Sequence, residues 1–250
     1  MRQLPEPPGV ARPDLPSPAQ SQTLADWLAG PRSRALRRAA IGLRDRVLDA
    51  GAGHCLVTPE LQRRARGRVT CLDLDAEALA AAPEGTSPVC ADCARLPFVP
   101  HSFDLVFFQN VLMWVPELEA AIAEAARVLV PDGVLVAIEP DYGGMMEHPD
   151  QGLRALWLDG LFRAGADALV GRKLPRACEA AGLEVWVELA HLPQSADPEA
   201  VRLLDDLPLT APQREQARSI AARLAAAPSR WGLFIHLPYF LIVAAQPGQP

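Results

Sequence analysis

Three aspartates and a glycine turn are the residues of this chain best suited to bind a ligand. Asp49 stands in the segment Val-Leu-Asp-Ala-Gly-Ala-Gly, residues 47–53, where a short apolar run passes into the turn. Asp73 and Asp92 each end a later apolar run. Because glycine has no side chain, such a turn lets a ligand approach the backbone closely. The carboxylates beside it would bind hydroxyl or cationic groups.

The spacing of these residues favours one nucleotide over another. Asp73 lies 22 residues after Gly51, which suits an acid that binds a ribose diol. A nicotinamide or flavin dinucleotide needs a third glycine three residues after Gly53, where Leu56 stands. Asp49 would also repel a pyrophosphate but attract an ammonium and a sulfonium. The electrostatics therefore favour S-adenosylmethionine.

Two alternatives without a ligand remain open for these residues. The glycines could form a tight strand-to-helix turn, and each aspartate alone could cap a helix. Asp75, which precedes Ala76–Leu79, is predicted to be such a cap. Three acids at three successive strand ends are harder to explain as caps.

The segments around these residues are predicted to be strands that alternate with helices. Apolar runs at 47–48, 69–74, 88–90, 105–108 and 134–138 predict strands, and residues 118–130 repeat apolar positions at helical spacing. Strands buried on both sides form parallel sheets. The predicted fold is α/β: a doubly wound, mostly parallel seven-stranded sheet with helices on both faces and a C-terminal antiparallel strand.

The two ends of the chain differ from this pattern. Residues 1–20 are rich in proline, which predicts a disordered tail before a single domain at 21–250. Residues 23–43 predict two helices broken at Gly30-Pro31, and residues 153–166 and 175–181 predict further helices. A strand is expected at 184–189, and a last strand at 234–244. Between them, a helical insertion at about 195–231 could close over a substrate, as could the first two helices.

Composition narrows the classes of partner and setting. The formal charge of −6 argues against nucleic acid as the main partner, and no apolar run is long enough to cross a bilayer. Five cysteines without framework spacing and no signal segment predict a cytoplasmic protein. Cys90 and Cys93 have the gap of a metal knuckle but no second pair, so no metal site is expected.

Taken in order, these segments resemble the class I S-adenosylmethionine-dependent methyltransferases over roughly residues 43–139. The glycine motif at 47–53 is followed by Leu-Asp-Leu-Asp at 72–75, by Ala-Asp-Cys at 91–93 and by the strand and following segment at 102–116. A helix, a Pro-Asp-Gly turn and a fifth strand at 126–140 complete the match. The resemblance implies S-adenosylmethionine as cofactor and methyl transfer as activity.

The resemblance also implies which residues bind the cofactor. Asp73 matches the acid that binds the ribose, and Asp92 matches the acid that holds the adenine amino group. The implied set consists of Asp49, Gly51, Ala52, Gly53, Asp73, Leu74, Asp92, Cys93 and Gln109. Three positions depart from the family: Cys55 replaces the last glycine of the loop, Asp132 replaces a turn glycine, and Met113 stands where many relatives carry histidine.

The segment after the fifth strand is the expected place for acceptor contacts. Tyr142 and His148 are the candidate catalytic residues there, since either could orient or deprotonate an acceptor. Glu139 and Asp141 could bind a cationic acceptor, or could belong to a turn at Pro140. Packing or surface roles remain open for Tyr142 and His148.

The predicted function is methyl transfer from S-adenosylmethionine to a small-molecule acceptor. Two alternatives remain. One is methylation of RNA or protein. The other is a catalytically silent, cofactor-binding subunit that acts through a partner, which the Cys55 and Met113 departures keep open. The identity of the acceptor and the oligomeric state do not follow from the sequence.

Overall fold

The first helices cover one side of the molecule. The structure is a computed structural model that describes residues 18–190, 194–195, 201, 203–226 and 233–247. Most of the predicted tail, residues 1–17, lies outside the described residues. Helix α1 (Pro18–Trp27) begins three residues before the predicted domain start, and α2 (Ala29–Arg38) follows directly. The break falls at Leu28 rather than at Gly30-Pro31, because proline is tolerated in the first turn of a helix.

The remaining helices alternate with the strands as the sequence predicts. They are α3 (Thr58–Arg64), α4 (Leu118–Val128), α5 (Leu153–Arg163), α6 (Val170–Ala180) and α7 (Ala211–Ala226). Helix α6 begins five residues before the predicted start and contains Pro175. Of the predicted insertion at 195–231, the structure describes residue 195, Val201, a 3₁₀ turn at Leu203–Asp206 and α7.

Seven strands of the described chain form the main sheet, and three shorter ones form a second sheet. The strands are β1 (Arg46–Ala50), β2 (Arg68–Asp73), β3 (Ser87–Cys90), β4 (Phe103–Gln109), β5 (Leu129–Pro140), β6 (Met146–His148), β7 (Glu184–Ala190), β8 (Gln194–Ser195), β9 (Phe234–His236) and β10 (Tyr239–Ala245). The main sheet has the order β3-β2-β1-β4-β5-β10-β7, in which β10 runs antiparallel to both neighbours. This confirms the predicted doubly wound, mostly parallel sheet with a C-terminal antiparallel strand.

Helices cover both faces of this sheet. Side chains alternate between the faces along a strand, so Tyr239 and Phe240 of β10 point to opposite sides. Tyr239 packs edge-on against Trp27 at the end of α1, whereas Phe240 approaches Gly171 of α6. The central strands β1, β4, β5 and β10 are almost entirely buried, as their continuous apolar sequences require.

The predicted last strand at 234–244 is wrong as a single element. The chain leaves a small sheet, of order β6-β9-β8, after His236 and enters the main sheet at Tyr239. Pro238 separates the two strands because proline has no N–H to donate to a ladder. Its carbonyl oxygen accepts a hydrogen bond from the N–H of Asp141 (3.0 Å). The sequence did not predict the small sheet.

The order of the strands fixes where a ligand can bind. The chain runs outward from β1 to β2 and β3, and then returns to place β4 on the other side of β1. In open α/β sheets the crevice lies at such a switch point, beyond the carboxyl ends of the strands. Asp49 of β1, Asp73 of β2 and Gln109 of β4 all stand at that edge.

Candidate functional site

A cavity of about 900 Å³ opens at the carboxyl ends of β1 to β4. All nine predicted cofactor-binding residues line it, as does Tyr142. Its other walls come from α1, from the segment after β4, from α5 and from the described part of the insertion. Leu24 of α1 and Leu203 of the insertion both line the cavity, so both predicted covering segments reach it.

The glycine turn is held by the neighbouring strand rather than left open to a phosphate. The N–H groups of Gly51 and Ala52 both donate to the carbonyl oxygen of Leu72, at 2.7 and 2.9 Å. The N–H of Gly53 donates to Oδ2 of Asp73 at 2.7 Å. These three donors are therefore already bonded within the protein, which disfavours a pyrophosphate cradle at the turn.

The two glycines are required for different reasons. Gly51 has φ +76°, and a Cβ added there would lie 2.3 Å from a methyl carbon of Val111, so this position needs glycine for packing. Gly53 also has a positive φ, +49°, but a Cβ there would meet no atom within 4 Å. Only Gly53 therefore faces open space, consistent with close approach of a ligand to its backbone.

Asp49 is a buried carboxylate at the floor of the cavity. It is 4% exposed, and its Oδ2 accepts a hydrogen bond from the hydroxyl of Thr58 at 2.6 Å. Burial raises the pKa of Asp49 to about 6, against the lowering effect of the Thr58 hydrogen bond, and the nearby Asp73 raises it further. A cationic ligand would stabilise the ionised form and lower this pKa.

Asp73 ties the end of β2 to the glycine turn. In addition to the Gly53 bond, its Oδ1 accepts from the N–H of Asp75 at 2.9 Å. Burial raises the pKa of Asp73, and the two backbone hydrogen bonds oppose that rise. Since each carboxylate oxygen has two lone pairs, each can still accept from a ligand hydroxyl. Asp75 caps the following turn, accepting from Glu77 and Ala78 at 2.8 and 3.1 Å, as predicted.

Asp92 and Cys93 follow β3 and line the cavity. Oδ1 of Asp92 accepts from the N–H of Ala94 at 2.8 Å, which orients the carboxylate within its turn. Cys93 is buried, and burial raises the pKa of its thiol to about 12. Cys93 is therefore protonated at neutral pH and packs as an apolar residue.

Gln109 is oriented by Arg32, a residue that the sequence did not single out. Nη1 of Arg32 donates to Oε1 of Gln109 at 3.1 Å and to the carbonyl oxygen of Ala25 at 2.8 Å, and its Nε donates to Glu60 at 2.8 Å. Arg32 is only 5% exposed. It therefore connects α1, α3 and the end of β4, and leaves Nε2 of Gln109 as the donor that this side chain can offer a ligand.

Cys55 keeps the backbone shape of the glycine it replaces. Its φ is +55°, in the left-handed region, and its side chain is buried against Cys71 and Leu79. Cys55 does not line the cavity. Asp132, the second departure, likewise adopts φ +62° at its turn. Met113, the third, lines the cavity as a buried side chain.

Glu139 and Asp141 have structural partners rather than free carboxylates. Oε1 of Glu139 accepts from the N–H groups of Val111 and Leu112, at 2.9 and 3.0 Å. Both oxygens of Asp141 accept from Arg172, at 2.7 to 3.0 Å. Both carboxylates are buried and absent from the cavity wall. Of the two alternatives for these residues, the structure therefore favours a structural role over the binding of a cationic acceptor.

The two candidate catalytic residues lie in different places. Tyr142 lines the cavity and stacks on Trp157, with ring centroids 5.1 Å apart and an angle of 31° between the planes. Burial raises the pKa of the Tyr142 hydroxyl, so it is neutral. His148 is exposed on β6, pairs with Phe234 in the small sheet and does not line the cavity. The structure therefore gives His148 no route to an acceptor in this cavity.

Sequence reasoning missed several residues that line the cavity. Trp157 of α5 and Arg214 of α7 line it, together with Leu207 and Tyr239. The tryptophans are scattered in the sequence, and no local spacing marked Trp157. Tyr239 could have been found only by recognising that Pro238 divides the last strand.

Comparisons with known proteins agree with this geometry. The model of the methyltransferase domain family matches residues 48–137, from β1 to β5. This segment contains the glycine turn, the ends of β2 and β3 and all of β4. Residues 48–137 are thus similar to the methyltransferase domain family. The matched segment contains every predicted cofactor-binding residue, whereas α1, α5 and the insertion lie outside it.

Three similar proteins illustrate the match. The chain is 40% identical over 114 residues to the demethylmenaquinone methyltransferase of Mycobacterium marinum, covering 45% of this chain and 47% of that protein. It is 38% identical over 99 residues to the malonyl-[acyl-carrier protein] O-methyltransferase of Halorhodospira halophila, covering 36% and 33%. The crystal structure of YcgJ from Bacillus subtilis has a TM-score of 0.66 at 17% identity, covering 88% and 100%.

The matches to the two named methyltransferases cover only part of each chain. They span a third to a half of the length of those relatives, and the likeness to YcgJ concerns the fold. Among the described residues, no helix is long and apolar enough to cross a membrane. In the same part of the chain, no group of three or more His, Cys, Asp or Glu side chains is arranged to hold a metal ion.

Proposed function

We propose that this chain transfers a methyl group from S-adenosylmethionine to a small-molecule acceptor. The observation that carries the proposal is that Asp49, Asp73 and Asp92, at the ends of three adjacent strands, line one cavity beside a glycine turn. Carboxylates in this arrangement attract a ligand with an ammonium and a sulfonium, and repel a diphosphate. The bonded N–H groups of the turn favour the same choice.

Each acid has a distinct proposed role. Asp73 would accept hydrogen bonds from the ribose hydroxyls, and Asp92 would accept from the adenine amino group. Asp49 would provide negative charge near the methionine part of the cofactor. The backbone from Gly51 to Gly53, together with Leu74, Cys93 and Gln109, would complete the binding surface. When bound, S-adenosylmethionine supplies an electrophilic methyl group.

The protein would contribute alignment of the acceptor and exclusion of water. Tyr142 is the candidate residue for orienting an acceptor, because its neutral hydroxyl belongs to a side chain that lines the cavity. Leu24 of α1 and Tyr239 of β10 also line the cavity. Residues from both ends of the described chain thus belong to one site, which supports a single catalytic domain over 21–250 with α1 and the insertion as a cover.

A small acceptor fits the chain better than a polynucleotide does. The formal charge of −6 opposes a phosphate backbone. Two relatives are named for the methylation of demethylmenaquinone and of malonyl-[acyl-carrier protein], neither of which is a nucleic acid. The cavity volume lies within the range of sites that hold small molecules.

Calorimetry tests the cofactor assignment directly. S-adenosylmethionine and S-adenosylhomocysteine should bind, and NAD should not. Asp73→Asn should weaken binding by about tenfold to a hundredfold, because a buried hydrogen bond is lost. Asp132→Asn is the matched control. Asp132 is an exposed aspartate near the amino-terminal end of β5, so its substitution should leave cofactor affinity unchanged. Failure of both sulfur nucleotides to bind would refute the cofactor.

A labelled-methyl assay then tests the reaction. The protein would be incubated with labelled S-adenosylmethionine and, separately, a metabolite extract, total RNA and denatured protein. Label in the metabolite fraction is the expected result. Label in RNA or protein would replace the proposed acceptor class, and cofactor binding with no transfer in any arm would favour the silent subunit.

A further inference from the structure

One part of the cavity wall is aromatic. Trp157 of α5 and Tyr142 stack on each other and both line the cavity, and Trp114 lines it from the segment after β4. Leu161 and Leu207 extend the same surface. Flat side chains of this kind bind planar rings by offset or edge-to-face packing.

This wall is held in place by the backbone around it. The N–H of Tyr142 donates to the carbonyl oxygen of Ala168 at 2.9 Å, and the carbonyl oxygen of Tyr142 accepts from the N–H of Met145 at 3.2 Å. Trp157 is half-buried within α5, so one part of its ring packs on Tyr142 while another part faces the cavity. The surface is therefore preformed, which favours binding of a rigid ligand.

The charges around the cavity restrict the ligand further. The charged side chains that line its described part are seven carboxylates and two guanidinium groups: Asp49, Asp73, Asp75, Asp92, Glu117, Asp205 and Asp206 against Arg95 and Arg214. The field in the cavity therefore opposes an anionic acceptor.

We propose that the acceptor is a planar aromatic molecule without negative charge, whose ring packs on Trp157. This inference rests on the proposed methyl transfer, since it assigns the remainder of the same cavity. The proposal excludes acyl chains, phosphorylated metabolites and carboxylic acids as acceptors. An uncharged or cationic group on the ring is compatible with the excess of carboxylates among the lining residues.

Binding of a matched series of probes tests both parts of the proposal. The full chain, saturated with S-adenosylhomocysteine, would be titrated calorimetrically with naphthylmethylamine, naphthylmethanol and naphthoate, which share a ring and differ in charge. Cyclohexylmethylamine is the control for planarity. The amine and the alcohol should bind at least about tenfold more tightly than naphthoate, and naphthylmethylamine at least about tenfold more tightly than cyclohexylmethylamine.

Variants of the wall locate the site. Trp157→Ala should weaken binding of naphthylmethylamine by about tenfold or more, whereas Trp157→Phe, which keeps a ring, should stay within about threefold. Trp186→Ala is the control: Trp186 lies on β7 with the Arg38 guanidinium 4.0 Å above its ring, away from the cavity. Unchanged binding of S-adenosylhomocysteine in each variant reports that the fold is retained.

Each result has a separate meaning. Equal or tighter binding of naphthoate would overturn the charge requirement, and equal binding of the cyclohexyl compound would overturn the planar one. No binding of any naphthyl probe, or no effect of Trp157→Ala, would overturn the site while leaving the proposed cofactor intact. Failure of S-adenosylhomocysteine itself to bind would refute the proposed function, and this inference with it.

Discussion

Glu139→Gln should change how the stability of this protein depends on pH. Glu139 is fully buried at the end of β5, and its Oε1 accepts two backbone N–H groups, whereas its Oε2 has no hydrogen-bond partner among the residues that the structure describes. Burial raises the pKa of Glu139 from 4.5 to about 7, against the lowering effect of those hydrogen bonds. Between about pH 4.5 and pH 7, Glu139 is therefore protonated in the folded state but ionised in the unfolded chain.

The sign of the effect follows from this difference. A carboxyl group whose pKa is raised on folding stabilises the protein fully below the unfolded pKa. That stabilisation is lost as pH rises through the folded pKa. From the two pKa values of Glu139, the loss of unfolding free energy between pH 6 and pH 8 is about 1 kcal/mol. Burial also raises the pKa values of Asp49 and Asp73, so their ionisation lowers the stability of the protein as pH rises. A comparison with the variant is therefore needed to isolate the contribution of Glu139.

Glutamine keeps the acceptor oxygen for Val111 and Leu112 and removes the titration. Urea unfolding should be measured at pH 6 and pH 8, both above the sequence pI of 5.4. Between these pH values the wild type should lose about 1 kcal/mol more unfolding free energy than Glu139→Gln. Glu119→Gln, an exposed site on α4, should parallel the wild type. A Glu139→Gln curve that also stays parallel to the wild type would refute the raised pKa.

Four further substitutions test the residues in and around the cavity. Arg32→Met should lower the unfolding free energy in urea by about 2 kcal/mol, because Glu60 loses one of its two arginine partners and keeps only Arg64; a loss below about 1 kcal/mol would contradict this role. Gly51→Ala should cost about 2 kcal/mol from its positive φ and the contact with Val111, and Val111→Ala should recover part of it in the same assay. Cys55→Gly should leave S-adenosylhomocysteine affinity within about twofold by calorimetry, since Cys55 lies outside the cavity wall; a tenfold change would show that this side chain shapes the site.

The sequence predicted the main sheet and the convergence of the acids because both depend on short-range patterns. Asp49, Asp73 and Asp92 each end an apolar run, and parallel strands bring their carboxyl ends to one edge whatever the intervening helices are. This is why residues separated by more than 40 positions could be assigned to one site.

The residues that sequence reasoning misjudged depend on contacts between distant segments. Glu139 lies at the same edge as the other acids, but its partners are backbone N–H groups that approach only because β4 and β5 are adjacent. Asp141 is neutralised by Arg172, 31 residues away. His148 is directed to the surface by a strand pairing with Phe234 that no local pattern signals. A carboxylate or imidazole near a strand end is thus insufficient to predict a ligand contact.

The two halves of the cavity differ in how the chain builds them, and this difference bears on specificity. The half with Asp49, Asp73 and Asp92 comes from consecutive strand ends within residues 48–137, where the family match lies. The aromatic half comes mainly from the segment after β5, from α5 and from the insertion, which lie outside that match, and only Trp114 of the wall lies within it. Substitution of Trp157 therefore changes no strand end and no hydrogen bond of the glycine turn. Acceptor preference can consequently vary while the cofactor site is retained, so the matched segment alone does not identify the acceptor, and the wall around Trp157 is the place to determine it.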